Sequence, residues 1–163
     1  MISNQMIPKF NQNEIPLKSG SYVLFISLMK EVIIEIGSLG EIKFPKGIYL
    51  YIGSACGPGG LNKRVNRHLA ENKKIFWHID YLLQNSKTEI MGFAWILSER
   101  KNECKIVEKI KNSLISNQFS QIKKFGSSDC NCYGHLIFLK SLSLNETKEQ
   151  ITNIFSNLQI IIL

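Results

Sequence analysis

The chain has 163 residues, 44% of them hydrophobic and 20% charged, enough apolar mass to bury one core without disulfides and too little length for several domains. Intrinsic disorder and a multidomain organisation are excluded on that arithmetic. Twenty Lys and Arg against thirteen Asp and Glu give a formal charge of +7, which favours a polyanionic partner where the cations are gathered on one face. The start MISNQMIPKF has neither the basic stretch nor the apolar run of a signal peptide, and runs such as the terminal IIIL fall far short of a membrane span, so no membrane association and a cytoplasmic location are expected. In that setting the four cysteines read as reduced thiols or metal ligands before they read as a disulfide framework.

No repeat or linker divides the chain. Residues 1–18 read as a polar lead-in, 19–140 as the domain, and 141–163 as an amphipathic helix packed on it. From Gly20, the runs GSYVLFISL, EVIIEIGSLG and IKFPKGIYLYIGSA are rich in aromatic and β-branched residues and predict an antiparallel meander. CGPGG is a turn by composition. LNKRVNRHLAENKK then takes a helical period through Leu61, Val65 and Leu69, and FWHIDYLLQ predicts a second, short helix. EIMGFAWIL returns to strand character, NECKIVEKIKNSLI predicts a helix with Asn102 as N-cap, and GHLIFLK a closing strand. In the tail, Ile151, Ile154, Phe155 and Leu158 follow i, i+3, i+4, i+7 spacing. The sum is an α/β (α+β) fold: a small sandwich with a mostly antiparallel sheet flanked by helices.

The informative segment is YLYIGSACGPGGLNKRVNRHL, where a tyrosine-bearing strand ends in a glycine turn and a basic helix. This order resembles the GIY-YIG nuclease superfamily, as an uncharacterised stand-alone branch. There, a strand with Gly-x-Tyr pairs with a second carrying Tyr-x-Gly, followed by a helix with an Arg and, in many members, a His one turn later. Tyr51-Ile52-Gly53 matches the second motif, and Arg64 with His68 the helix pair. Gly47-Ile48-Tyr49 spells the first motif but lies on the same strand as YIG. Gly20-Ser21-Tyr22 is therefore the better match, and it makes EVIIEIGSLGEIKFP an inserted hairpin. The resemblance implies a metal-dependent endonuclease acting on DNA, with RNA as the other candidate polymer. It implies Tyr22 as general base toward water, Tyr51 as a hydroxyl that positions phosphate or nucleophile, and His68 as an aid to orientation or to the leaving group. Glu103, matched by order of elements, is the implied ligand of one Mg²⁺ or Mn²⁺, and His78 has a loose counterpart in homing members.

The residues support and complicate this. Arg64 and His68 lie one helical turn apart beside the Leu61, Val65, Leu69 stripe, with Arg67 expected to point away. A guanidinium fits two phosphate oxygens and stabilises charge that grows in the transition state; a solvated basic face is the alternative. A free tyrosine is ionised at only about one part in a thousand at pH 7, so Tyr22 as a base needs its pKa lowered by neighbouring positive charge. Tyr49 reads as an ordinary strand aromatic. Glu103 is either a Mg²⁺ ligand or an acid favoured by the first turn of its helix. Gly53, Lys63, Arg67, Lys73, Lys74, Trp77 and His78 are the candidate nucleic-acid contacts; alternatively Trp77 packs the core while His78 and Asp80 form a surface pair.

SSDCNCYGHL, with Cys104, offers Cys130, Cys132 and His135 as a zinc cluster. C-x-C on an extended chain points its sulfurs apart, so reduced core thiols are expected instead, with Asp129 and His135 as further site candidates and Cys56 as an incidental thiol. Two readings compete with the nuclease: a non-catalytic nucleic-acid-binding module on the same scaffold, and a zinc-stabilised interaction domain. A homodimer or a larger partner protein is expected to supply specificity, because the length leaves no room for a separate recognition domain.

Overall fold

The computed structural model describes residues 11–163. The start read as lacking a leader falls outside the described residues. Alternation builds the centre of the molecule. In β1 (Gly20–Leu28), Tyr22, Leu24 and Ile26 face one core while Val23 and Phe25 face another. β4 (Gly47–Ser54) repeats this with Tyr49 and Tyr51 on one side and Leu50 and Ile52 on the other. Strands buried on both faces read as continuous apolar runs, as these two do in the sequence.

The two strands pair antiparallel at the middle of a six-stranded sheet, order β6-β7-β4-β1-β5-β8, in which every neighbouring pair is antiparallel. The flanking strands are β5 (Thr88–Leu97), β6 (Phe119–Gln121), β7 (Leu136–Leu139) and β8 (Gln159–Ile162). Helices α1 (Gly60–Leu69) and α2 (His78–Leu83) cover the Tyr22 face, through Leu61, Val65, Ile79 and Leu82. Helices α3 (Glu103–Ser113) and α4 (Leu144–Ile154) cover the other, through Ile106, Val107, Ile110 and Ile151. This is an α+β sandwich with an antiparallel sheet between helix layers. Among the described residues, no helix is long and apolar enough to cross a membrane.

Three expectations need correction. β1 pairs directly with β4, and the run between them folds on itself as β2 (Val32–Glu35) and β3 (Glu41–Phe44), so the inserted hairpin replaces the simple meander. The tail is not all helix. α4 ends at Ile154, and the chain returns as β8 along β5, which puts Leu158 beyond the helix that its spacing suggested. The lead-in is not merely polar, because Ile15 is fully buried and the Pro16 and Lys18 carbonyls accept from the Asn62 and Leu61 amides at the start of α1. That contact explains the glycine turn: a Cβ on Gly60, at φ +53°, would stand 2.4 Å from the Lys18 carbonyl oxygen.

Candidate functional site

The register of β1 and β4 sets the site. Tyr22 lies directly across from Gly53, and the Tyr22 ring folds over that glycine: a Cβ there would sit 2.3 Å from the hydroxyl oxygen and 2.4 Å from Cζ. The glycine of the YIG triplet is thus the space that the tyrosine of the opposite strand occupies. From there the Tyr22 hydroxyl reaches His68 on α1, at 2.7 Å from Nε2.

One cavity of about 570 Å³ opens at this end of the sheet, lined by Tyr22, Tyr51, Arg64, Trp77, Glu103 and Asp129, among others. Its size suits a phosphodiester with its flanking sugars. Four elements contribute: β1 and β4 the tyrosines, α1 the arginine and α3 the glutamate. The structure therefore brings together Tyr22, Tyr51, Arg64 and Glu103, four residues spread over about half the chain.

Each is held differently. The Arg64 guanidinium carbon lies 4.2 Å from the centroid of the Trp77 ring and has no ion-pair or hydrogen-bond partner among the described residues. Cation–π contact positions it without neutralising it. Arg67 stacks on the same indole at 4.1 Å, so it does not point away as the helical period implied. It is spent on Asp80, with two hydrogen bonds of 3.0 and 2.9 Å. Asp80 is fully buried and also accepts from the Phe76 and Trp77 amides, each at 2.9 Å. Burial pushes the Asp80 carboxyl upward, and the hydrogen bonds from Arg67 and these amides outweigh it, leaving its pKa lowered. The expected surface pair of His78 and Asp80 does not exist; His78 Nδ1 instead accepts from the Gly126 amide at 3.1 Å.

Glu103 opens α3 and accepts a hydrogen bond from the Ser54 hydroxyl at 2.5 Å, which fixes its carboxylate toward the cavity. The other carboxylate of the cavity, Asp129, is paired with Lys101 at 2.9 Å. One fixed carboxylate facing an open, polar cavity is the donor set that a hard divalent cation accepts, with waters and substrate phosphate completing its shell. Mg²⁺ or Mn²⁺ therefore fits at Glu103.

The tyrosines are not resting bases. Burial, then the neighbouring Tyr51, drive the Tyr22 pKa well above its ordinary value, and Arg64 only partly opposes them. Burial likewise raises Tyr51. Arg64 alone does not lower Tyr22, because a buried phenolate loses more hydration than one guanidinium returns. His68 is 1% exposed and does not line the cavity, so it is not placed to touch a leaving group as expected; its contact with the site is the Tyr22 hydroxyl. Burial lowers its pKa to about 3, which keeps the ring neutral. With the proton on Nδ1, which has no hydrogen-bond partner, Nε2 accepts from Tyr22.

The remaining candidates divide: Gly53, His78 and His135 line the cavity, whereas Lys63, Lys73 and Lys74 do not. Lys73 Nζ caps α1 on the His68 and Ala70 carbonyls, while Lys63 and Lys74 are exposed outside the cavity. Tyr49 is buried and donates to the Pro45 carbonyl at 2.6 Å, away from the site. Cys56, read as incidental, lines the cavity. Cys104 and Cys132 are joined by a disulfide, against the expectation of reduced thiols, and His135 beside them lines the cavity with its pKa lowered by burial. Sequence reasoning missed Ser54, Phe76 and Lys101 in the lining. Ser54 directly follows YIG, and Phe76, 76% exposed, precedes Trp77; adjacency to the motifs was the available signal.

In comparisons with known proteins, residues 21–160 match the family described as Domain of unknown function DUF123. No curated protein and no solved structure matches.

Proposed function

The chain belongs to the DUF123 family, whose match spans residues 21–160, and we propose that it is a divalent-metal-dependent endonuclease of the GIY-YIG type that hydrolyses phosphodiester bonds in DNA. One observation carries the reading: an unpaired guanidinium, a fixed carboxylate and two protonated tyrosine hydroxyls face a single cavity. A phosphodiester is the substrate that uses all of them.

Glu103 would hold Mg²⁺ or Mn²⁺, which supplies Lewis-acid charge at a phosphoryl or leaving-group oxygen. The protein's own groups divide the rest. Arg64, aimed by Trp77, faces the non-bridging oxygens and stabilises their growing charge. Tyr51, kept protonated by burial, donates a hydrogen bond to the phosphate. Tyr22 donates its hydroxyl proton to the neutral His68 Nε2 at 2.7 Å, which leaves its oxygen lone pairs to accept from the attacking water and orient it, that water's proton leaving to solvent. Exposed Phe76, edge-on to Trp77 at 5.2 Å, offers a stacking surface for an unpaired base at the cavity mouth.

The test is cleavage of plain, flapped and branched DNA with Mg²⁺ or Mn²⁺. Arg64→Ala is expected to lower kcat/KM by about 10²–10³-fold, the usual cost of one transition-state donor, and Glu103→Gln to abolish metal-dependent turnover. Equal rates in wild type and both variants would mean a contaminating nuclease. A second reading, a non-catalytic nucleic-acid-binding module, is favoured by the raised Tyr22 pKa. Salt-sensitive binding without cleavage in either metal would select it.

A further inference from the structure

We infer that Cys104, Cys130, Cys132 and His135 form a tetrahedral zinc site that pins the start of α3 to the loop before β7. Their four ligand atoms lie within 4.8 Å of one another. His135 Nε2 is 3.4 Å from Cys130 Sγ and 3.8 Å from Cys104 Sγ. A tetrahedral ion with Zn–S of about 2.3 Å and Zn–N of about 2.0 Å places sulfur and nitrogen about 3.5 Å apart, which those two edges match.

Sulfurs that point apart require an extended chain at Cys130-Asn131-Cys132. Here the segment is a series of bends with no strand pairing, so both sulfurs turn to the same point. The Cys104–Cys132 disulfide accounts for only two of the four groups. It gives no reason for a third thiol and an imidazole, 4% exposed, to converge on the same spot. A zinc ion uses all four, and three thiolates with one imidazole are a donor set that zinc favours over hard cations. Loading exchanges three thiol protons for one Zn²⁺ without electron transfer; zinc thiolates and the disulfide are mutually exclusive states of the same pair.

All four positions are protein ligands, so the site is closed and structural. Its placement gives it a task. Cys104 follows Glu103, and Cys130 follows Asp129; both carboxylates line the cavity. The metal would clamp one cavity wall between α3 and the loop. The inference does not depend on the nuclease reading, and its test reads metal, not turnover.

The experiment uses untagged full-length protein purified anaerobically under reducing conditions, with the reductant then removed. Elemental analysis is expected to give one zinc per chain, falling at least tenfold in Cys130→Ser and in His135→Asn and unchanged in Cys56→Ser. Should the first two variants not fold, wild type decides alone: cobalt(II) exchange should produce a sulfur-to-metal charge-transfer band and tetrahedral visible bands. Zinc well below one per chain with no cobalt charge-transfer band overturns the inference. So does full zinc in folded Cys130→Ser, or a Cys104–Cys132 disulfide in peptide digests of the anaerobic protein.

Discussion

Replacing Gly53 by alanine tests the geometry on which the site depends. The new methyl would stand 2.3 Å from the Tyr22 hydroxyl oxygen, 2.4 Å from Cζ and 2.9 Å from Cε1, where comfortable separation is about 3.5–4.0 Å. The ring must therefore move by more than about 1 Å. It is buried against the core, so it cannot swing aside cheaply. Moving the hydroxyl by that much either stretches the 2.7 Å contact to His68 Nε2 past hydrogen-bonding range or drives the ring into the imidazole. Overpacking costs about 1–3 kcal/mol and the lost hydrogen bond about 1 kcal/mol. A loss of about 2–4 kcal/mol, or a Tm lowered by about 5–15 °C for a domain of this size, is expected. A reactive group displaced by 1 Å costs about 10²-fold in rate, so DNA cleavage should fall by that factor at temperatures where the variant is folded. Thermal melts and cleavage rates of Gly53→Ala and Gly57→Ala form the assay. A methyl added at Gly57 would meet nothing within 4 Å, and that variant should melt like wild type. Wild-type Tm in Gly53→Ala would refute the close approach of Tyr22. A lowered Tm with undiminished cleavage would leave the packing argument standing and remove Tyr22 from the reaction.

Further outcomes follow from the charges around this centre. The folded pKa of His68, about 3 against 6.5, means that the unfolded chain binds the extra proton between those values. His68 therefore adds stability that is complete above about pH 6.5 and is lost as pH falls toward 3, by up to about 5 kcal/mol at 1.36 kcal/mol per unit. Urea unfolding from pH 7 to 4 should show a steeper loss in wild type than in His68→Gln, and parallel curves would contradict the assignment. Arg67→Ala leaves the Asp80 carboxylate buried without its cation and should cost about 3 kcal/mol in urea unfolding. Arg67→Met with Asp80→Asn should recover part of that loss. If Arg67→Ala unfolds like wild type, Arg67 is free for a ligand after all.

The sequence alone determined the elements and the pattern of the site. Continuous runs of aromatic and β-branched residues were sufficient to place β1, β4 and β5, and period-3.6 hydrophobicity to place α1 and α3, because these segments bury the faces that their composition and spacing mark. The motif residues Tyr22, Tyr51, Arg64 and Glu103 were legible as residue types in an order. The short edge strands were not. Phe119–Gln121 and Gln159–Ile162 take their strand character from pairing with β7 and β5, a long-range hydrogen-bonding decision that leaves little local trace. The state of each charged group was also beyond sequence reach. Arg64 and Arg67 are equivalent by composition, and only the fold gives Arg67 a buried carboxylate while leaving Arg64 unpaired over Trp77. The same holds for His68, whose burial makes it a neutral partner of Tyr22 instead of a surface cation. It holds again for Cys130 and Cys132, whose convergence with Cys104 and His135 depends on how a bent loop meets the first turn of α3. Hydrophobic pattern is a property of neighbours in sequence, whereas desolvation and pairing are properties of neighbours in space.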